Sequence, residues 1–223
     1  RDRYKTDNLC LAGGVALNCV ANGKLLRDGC FDNIWIQPAA GDAGGALGAA
    51  LSAYHGFLGK PRSASDGRDR MRGSYLGPAY EQQDIEVRLG GAGAVFEVMD
   101  DAALLAACAQ DLAEGRARGW FQGRMEFGPR ALGGRSILGD ARSPTMQSVL
   151  NLKVKYRESF RPFAPSVLRE DVADWFDIDQ DSPYMLLVAE VKAARRIAMT
   201  KEQQSLFGIE KLNVPRSEIP AVT

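Results

Sequence analysis

Gly-Trp-Phe-Gln-Gly-Arg-Met-Glu-Phe-Gly-Pro-Arg-Ala-Leu-Gly-Gly-Arg-Ser-Ile-Leu-Gly-Asp-Ala-Arg, residues 119–142, is the stretch on which the interpretation of this 223-residue chain depends. It begins within a predicted strand at residues 118–122 and continues as a glycine-rich run with four arginines. Glycine lets the backbone approach a ligand closely, and arginine binds phosphate or carboxylate through two parallel hydrogen bonds. The pattern therefore predicts an anion-binding loop at the end of a strand. The alternative is a glycine-rich surface loop with solvated arginines.

A second basic stretch lies at residues 151–166, Asn-Leu-Lys-Val-Lys-Tyr-Arg-Glu-Ser-Phe-Arg-Pro-Phe-Ala-Pro-Ser. Between residues 116 and 169 the sequence has eleven Lys or Arg and three Asp or Glu, although the whole chain has 28 basic and 28 acidic residues. Such a local excess of positive charge concentrates an anionic ligand. If residues 153–157 are extended, Lys153, Lys155 and Arg157 lie on one face.

The composition, 45% hydrophobic and 25% charged, is that of a globular protein with one large or two small domains. The sequence has neither a run of about 18 apolar residues nor a signal-peptide pattern, so we expect a cytoplasmic protein without membrane contact. The cysteines lack C-x-x-C spacing, which favours buried thiols over disulfides or a zinc site. They are Cys10, Cys19, Cys30 and Cys108. Because the sequence begins with Arg1 and starts almost directly on a strand, we expect a fragment of a longer protein.

The first 58 residues are predicted to alternate strands and helices. Residues 8–12 have the pattern of a short buried strand, Gly13 and Gly14 form a turn, and residues 15–27 have helical periodicity. A second strand is expected at residues 31–37. A glycine turn between strand and helix often faces phosphate in α/β folds, although such turns are also common for packing reasons.

Asp42 stands where the loop after the second strand becomes a small-residue helix that ends near His55. Spacing alone favours a helix N-cap, and a metal-binding or phosphate-side carboxylate is the alternative. His55 is the only histidine, so this chain cannot complete a histidine metal site or a Ser/His triad by itself. We expect His55 to be structural or to act as a charge at the helix C-terminus.

Residues 56–73 are polar, glycine-bearing and aperiodic, which predicts an exposed linker and a domain boundary near residues 58–74. The prolines at residues 162 and 165 predict non-helical backbone around them. Further helices are expected at residues 81–89, from Asp100 or Asp101 onward, from Ser143 and Pro144 onward and at 170–176, and further strands at 95–99 and 185–191.

Four segments resemble the NodU/CmcH-type O-carbamoyltransferase family: residues 13–22, 41–50, 119–136 and 153–166. The last two are long and specific, and the resemblance covers almost the whole chain. It implies an α/β fold in which the C-terminal piece of an ASKHA (actin-like ATPase) module precedes a YrdC-like twisted α/β domain. Residues 1–58 would then belong to the ASKHA-like carbamoyl-transfer module, residues 59–74 to a linker and residues 75–223 to the YrdC-like carbamoyl-adenylate-forming domain.

The resemblance also implies a reaction. The YrdC-like part would form carbamoyl-adenylate from ATP and carbamoyl phosphate, and the ASKHA-like part would transfer the carbamoyl group to the hydroxyl of a small acceptor molecule. The expected cofactors are ATP, Mg²⁺ with the ATP, and iron or a similar divalent metal in the full ASKHA-like module. The resemblance leaves open whether the protein forms a homodimer. The fragment alone is expected to be incomplete for full activity.

Site residues follow from the same resemblance. Lys155 and Arg157 match a Lys-x-Arg element of YrdC-like proteins and are assigned as catalytic. Asp42 matches a metal-ligand aspartate of the family, so the resemblance favours Asp42 as a metal ligand over Asp42 as a helix N-cap. The other family ligands, histidines of an N-terminal motif, are absent, and we expect no metal here. Binding of carbamoyl phosphate or the ATP phosphates is assigned to Arg124, Arg130, Arg135, Ser136, Lys153, Arg161 and Ser166, and nucleotide binding in the ASKHA-like part to Gly13, Gly14, Asn18 and Asn22.

A rival interpretation is a YrdC-like module that binds nucleic acid, RNA in particular, without catalysis. Local positive charge suits a phosphate backbone, and the interleaved aromatics could stack on bases. Against it, the basic residues sit in Gly- and Pro-rich turns rather than along an exposed helix. A steep loss of affinity with salt would distinguish a backbone binder from a small-molecule pocket. A third interpretation is an inert fragment.

Overall fold

Two short parallel strands lie near the N-terminus. In the computed structural model, which describes residues 1–63 and 67–222, β1 (Asn8–Leu11) pairs in parallel with β2 (Asn33–Ile36), with Asn8 opposite Asn33 and Leu11 opposite Ile36. Both strands lie inside their predicted ranges. A parallel pair requires a crossover connection, which the intervening helix supplies.

That connection begins with a single 3₁₀ turn, Gly14–Leu17, and continues as α1 (Cys19–Asp28). The Asn18 side chain accepts a hydrogen bond from the Ala21 amide at 3.1 Å and so caps α1. The left-handed Gly29, at φ 61°, ends the helix. The helix predicted at residues 15–27 is therefore divided in two, because Asn18 leaves helical geometry to act as the cap.

After β2 the chain enters α2 (Asp42–Ser52), which is continued by a wider helical turn, Ala53–Phe57. His55 lies in that turn with its Nδ1 atom 2.9 Å from the carbonyl oxygen of Lys60. The remaining helices are α3 (Gln82–Gly91), α4 (Asp101–Ala113), α5 (Met146–Val149), α6 (Val172–Trp175), α7 (Lys201–Ser205) and α8 (Ile209–Leu212). A second two-stranded sheet pairs β3 (Arg118–Phe121) with β4 (Arg135–Leu138).

The chain divides into two compact units. Unit 1 comprises Arg1–Arg88, Phe121–Ser136 and Ser182–Val188, and unit 2 comprises Leu89–Trp120, Ile137–Asp181 and Ala189–Thr223. The fold is thus a mixture of helices and strands. The division into residues 1–58 and 75–223 stays a prediction, and its linker includes residues 64–66, which, like Thr223, lie outside the described residues.

Unit 2 has an apolar core around α5. Met146, Leu150 and Ala221 are buried together, and Ala117 and Phe163 pack against them. Gly139 allows this packing, because a methyl group added there would lie 2.7 Å from Met146 Cγ.

Several sequence predictions are wrong. Residues 95–99 have no strand partner in the described chain, and residues 185–191 contribute only an isolated bridge between Val191 and Phe176. Residues 153–157 are not extended, because a wide helical turn, Leu150–Val154, follows α5 directly. The cysteines are free but not buried: Cys10 and Cys30 are exposed, and Cys19 and Cys108 are half-buried. None of the helices within residues 1–63 and 67–222 has the length and hydropathy to cross a membrane.

Candidate active site

An open cavity of about 440 Å³ lies in unit 1 where β1 and β2 end. Its walls are the turn after β1, the loop after β2 and the first turn of α2. Loops at the carboxyl ends of parallel strands are where open α/β sheets bind ligands. We call this cavity the strand-end cleft; its lining residues are Ala12, Gly13, Gly14, Gln37, Ala39, Ala40, Gly41, Asp42, Gly44 and Gly45.

Glycine is required at two positions of the strand-end cleft. Gly13 has φ 88°, a left-handed conformation that residues with a Cβ atom rarely adopt. Gly44 lets α2 pack tightly on the preceding loop, because a Cβ atom there would lie 1.9 Å from the Ala39 carbonyl oxygen. Gly13, Gly14 and Gly45 also line the cleft, and no heavy atom lies within 4 Å of a Cβ atom added at any of the three.

Asp42 is the first residue of α2, and Gly41 is its N-cap. Because Asp42 is already the first helical residue and Gly41 holds the cap position, the interpretation of Asp42 as the N-cap is wrong. The carboxylate lines the strand-end cleft instead. The described residues contain no group of three or more His, Cys, Asp or Glu side chains that could hold a metal. Asp42 alone does not make a complete metal site, and we derive no step through a metal.

The two asparagines predicted to bind nucleotide make structural hydrogen bonds. Asn18 caps α1. Asn22 is 2% exposed, and its Nδ2 group donates to the carbonyl oxygens of Ala16 at 2.9 Å and Leu186 at 3.0 Å. Of the predicted nucleotide residues, the structure thus brings Gly13 and Gly14 together with Asp42 in the strand-end cleft, whereas the Asn18 and Asn22 side chains serve the backbone.

The arginine-rich loop of unit 1, residues 123–135, is held by one carboxylate. Glu126 is 8% exposed, and its Oε1 atom accepts hydrogen bonds from the amides of Leu132 at 2.7 Å, Gly134 at 2.8 Å and Arg135 at 3.3 Å. Burial raises the pKa of this carboxyl group, but the backbone amides outweigh burial and hold the pKa below its ordinary value. Glu126 thus takes main-chain donors and not an arginine.

Two of the predicted phosphate-binding arginines in this loop serve the backbone. Arg135 stacks on Phe121, with its guanidinium carbon 3.3 Å from the ring centre, and its terminal nitrogens donate to the carbonyl oxygens of Gln122, Gly123 and Gly134. Arg124 donates to the Gly77 carbonyl oxygen at 2.9 Å.

Ser136, also predicted to bind phosphate, accepts a hydrogen bond from the Gly133 amide at 3.0 Å through its Oγ atom. The sequence pattern therefore located the loop correctly, while the structure gives these polar groups contacts that shape it.

Arg130 is the arginine of this loop that reaches the surroundings of the strand-end cleft. Its Nη2 group donates to the Leu17 carbonyl oxygen at 2.9 Å, and its Nε–H is buried without a partner among the described residues. The adjoining Gly128 packs on the cleft wall, because a Cβ atom there would lie 3.3 Å from Ala39 Cβ. A buried N–H without an acceptor is costly, so Arg130 is a strained polar contact of this loop.

The second basic stretch lies in unit 2 and is organised around Asn151. The Arg157 Nε–H donates to Asn151 Oδ1 at 2.6 Å, and the Arg157 guanidinium lies 5.0 Å from the centre of the Phe163 ring. Arg161 pairs with Glu158 at 2.9 Å, with both side chains more than half exposed. The structure thus brings Arg157 and Arg161 onto one short loop, residues 151–161.

The other predicted residues of this stretch are exposed. Lys153, Lys155 and Ser166 point to solvent and make no side-chain hydrogen bond or ion pair to any residue of the described chain. Lys155 ends the wide helical turn with its amide donating to the Leu150 carbonyl oxygen at 2.9 Å. An unpaired lysine on a loop is available to an anionic ligand.

Sequence reasoning did not foresee the roles of Glu126 and Asn151, the two buried polar residues that hold these loops. The available signal was their position: Glu126 lies within a run of arginines, and Asn151 lies just before a run of lysines and arginines. A buried polar group needs partners, and a glycine- or proline-rich loop offers unpaired main-chain groups.

The fold and the strand-end cleft define a class first: this is a mixed α/β protein with an open cavity at the carboxyl ends of two parallel strands. Family comparison gives the particular kind. Residues 1–51 match the model of the carbamoyltransferase N-terminus, and residues 109–223 match the model of the carbamoyltransferase C-terminus. The chain belongs to the carbamoyltransferase family.

Individual relatives agree. An uncharacterized protein of Synechocystis is 64% identical over 219 residues, 97% of this chain and 35% of its own length. The nodulation protein NolO of Bradyrhizobium diazoefficiens is 45% identical, over 84% of this chain and 34% of its own length. Nodulation protein U of Rhizobium tropici is 40% identical, over 80% of this chain and 28% of its own length. The chain thus spans about a third of the length of these relatives.

Proposed function

We propose that this chain is part of an ATP-dependent O-carbamoyltransferase. Unit 2 supplies Lys155 and Arg157 to the site where ATP and carbamoyl phosphate form carbamoyl-adenylate. The strand-end cleft holds the nucleotide part of that intermediate while the carbamoyl group passes to an acceptor hydroxyl. The observation that carries the proposal is the cleft, in a chain whose two ends match the two carbamoyltransferase models.

The proposed chemistry has three steps. Water releases phosphate from carbamoyl phosphate and leaves carbamate. A carbamate oxygen attacks the α-phosphorus of ATP, and pyrophosphate leaves. The acceptor hydroxyl then attacks the carbonyl carbon of carbamoyl-adenylate, loses its proton, and AMP leaves. The first two steps handle dense negative charge, which positioned cations stabilise.

The contacts of the basic side chains support a division of roles. Lys155 has no partner among the described residues, and neither terminal nitrogen of Arg157 is hydrogen-bonded to one. These donors are free to meet phosphoryl oxygens. Arg124, Arg135 and Arg161 already have carbonyl or carboxylate partners, so they are assigned to holding the loops.

The strand-end cleft offers a phosphate two kinds of donor. The 11-residue α2 begins at the cleft, and the N-terminal end of a helix carries partial positive charge. The left-handed Gly13 and the open Gly14 allow backbone amides to approach a ligand. Asp42 would be the metal-side carboxylate once the remaining ligands of a full-length protein are present.

Filling the strand-end cleft tests this assignment. Gly45→Leu adds a large side chain at a residue that lines the cleft, without backbone clash, because no heavy atom lies within 4 Å of its Cβ position. We expect calorimetry to show AMP binding to the unmodified chain and at least about tenfold weaker binding to Gly45→Leu, since the ligand loses its space.

Gly48→Leu is the matched control, because Gly48 lies on the same helix with equal space around its Cβ position but does not line the cleft. It should bind AMP as the unmodified chain does. Equal AMP binding by both leucine variants would contradict the assignment of the cleft, and AMP binding that falls steeply with salt in all three proteins would instead favour a nucleic-acid-type surface.

A further inference from the structure

Asn151 is the most completely buried polar side chain of unit 2, with 0% exposure. Its Nδ2 group donates to the carbonyl oxygens of Ser159 at 3.1 Å and Arg161 at 2.8 Å, and its Oδ1 atom accepts from Arg157 Nε. Both amide hydrogens and the amide oxygen are therefore used. One side chain closes the loop of residues 151–161 upon itself.

The same residue fixes Arg157 at two points. The Arg157 backbone amide donates to the Asn151 carbonyl oxygen at 2.9 Å, in addition to the 2.6 Å side-chain contact. Phe163 supports the guanidinium from its face. Tyr156, immediately before, has φ 48°, an uncommon conformation that the closed loop maintains.

This arrangement leaves the two terminal nitrogens of the Arg157 guanidinium without a hydrogen bond to the described residues. Only Nε is engaged, and neither terminal nitrogen donates to a described residue. A guanidinium held by Nε and by ring stacking loses little further entropy when its two terminal nitrogens bind phosphate oxygens.

We propose that Asn151 is a positioning residue, which orients the Arg157 guanidinium so that its terminal nitrogens face a phosphate group of ATP. This inference rests on the proposed function, because it assumes that Arg157 binds phosphate. It adds that the effect of Asn151 on nucleotide binding acts through Arg157.

A double-mutant cycle tests the inference. We expect Asn151→Ala to weaken ATP binding about tenfold in calorimetry, since a charged hydrogen bond that orders the binding group is lost. In the Arg157→Ala background the same substitution should change the affinity less than about twofold, because the group it orients is absent.

Gln147→Ala is the matched control. The Gln147 Nε2 group also donates to the Arg161 carbonyl oxygen, at 3.2 Å, but Gln147 makes no hydrogen bond to Arg157. A purely structural role for Asn151 predicts that both substitutions weaken binding in proportion to the stability they cost in urea unfolding. The positioning role predicts that Gln147→Ala leaves ATP affinity unchanged.

If Asn151→Ala does not fold, Asn151→Asp takes its place in the cycle. Its carboxylate still accepts from Arg157 Nε and competes with phosphate for the guanidinium, so binding should weaken only when Arg157 is present. Additive effects of the Asn151 and Arg157 substitutions would overturn the inference alone. A folded, unmodified chain that binds no ATP would overturn the assignment of Arg157 in the proposed function as well.

Discussion

At the scale of single residues, the polar groups that shape the loops differ from those that a ligand can reach. From residue type and glycine content, the sequence predicted three arginines as anion binders in the first basic region and two lysines with two arginines in the second. In the structure, the Arg135 and Arg124 side chains donate hydrogen bonds to main-chain carbonyl oxygens. By contrast, Nε of Arg130 and the two terminal nitrogens of Arg157 have no hydrogen-bond partner among the described residues. Residue type could not separate these cases, because the difference lies in which carbonyl oxygen folds back within reach.

The carboxylate of Glu126 gives a pH-dependent prediction. Its pKa in the folded chain lies below the ordinary value of 4.5, so its stabilising effect is present above that value and is lost as pH falls through the folded pKa. We expect Glu126→Gln to lower the free energy of unfolding by about 1–3 kcal/mol at pH 7, because a charged acceptor of three amides is replaced. Urea unfolding should show this deficit shrinking as the pH falls below 4.

The exposed Glu81 supplies the control, since its side chain has no hydrogen bond or ion pair to another described residue. Glu81→Gln should leave stability unchanged at both pH values. A Glu126→Gln deficit that stays constant with pH would show that the Glu126 carboxylate does not titrate with folding.

At the scale of elements, local signals predicted most helices and the paired strands but not the isolated extended segments. Asp100 caps α4 as expected, because its side chain accepts a hydrogen bond from the Ala103 amide at 2.8 Å. The predicted strands β1 and β2 form a parallel pair. Residues 95–99 have strand-like residues yet remain unpaired in the described chain and exposed. A strand is stabilised by a neighbour, and the identity of that neighbour is not a local property of the sequence.

The close packing of α2 on the loop before it gives a prediction for an element. Gly44→Ala would place a methyl group 1.9 Å from the Ala39 carbonyl oxygen, so α2 must shift away. We expect a loss of about 1–3 kcal/mol in the free energy of unfolding. By comparison, Gly48→Ala, in open space on the same helix, should add about 0.5–1 kcal/mol, because alanine favours helix over glycine. Thermal or urea unfolding of the two variants measures both, and equal stabilities would contradict the packing of α2.

At the scale of the whole molecule, membership of the carbamoyltransferase family was predictable from four sequence segments, and the two family models and the relatives confirm it. The spatial arrangement of these segments could not be predicted from the sequence. Residues 121–136, from the arginine-rich stretch, belong to the same compact unit as the N-terminal strands. Contacts such as Arg130 to Leu17, 113 positions apart, depend on tertiary folding and leave no periodic signal.

The central claim is that this chain binds ATP and carbamoyl phosphate through the basic loop of unit 2. Calorimetric titration of ATP, with and without carbamoyl phosphate, into the unmodified chain, Lys155→Ala and the exposed-lysine control Lys201→Ala tests it most directly. We expect the unmodified chain and Lys201→Ala to bind ATP and Lys155→Ala to bind it at least about tenfold more weakly, because the cation proposed to meet the phosphates is lost. Equal ATP binding by all three proteins, or none by a folded unmodified chain, would contradict it.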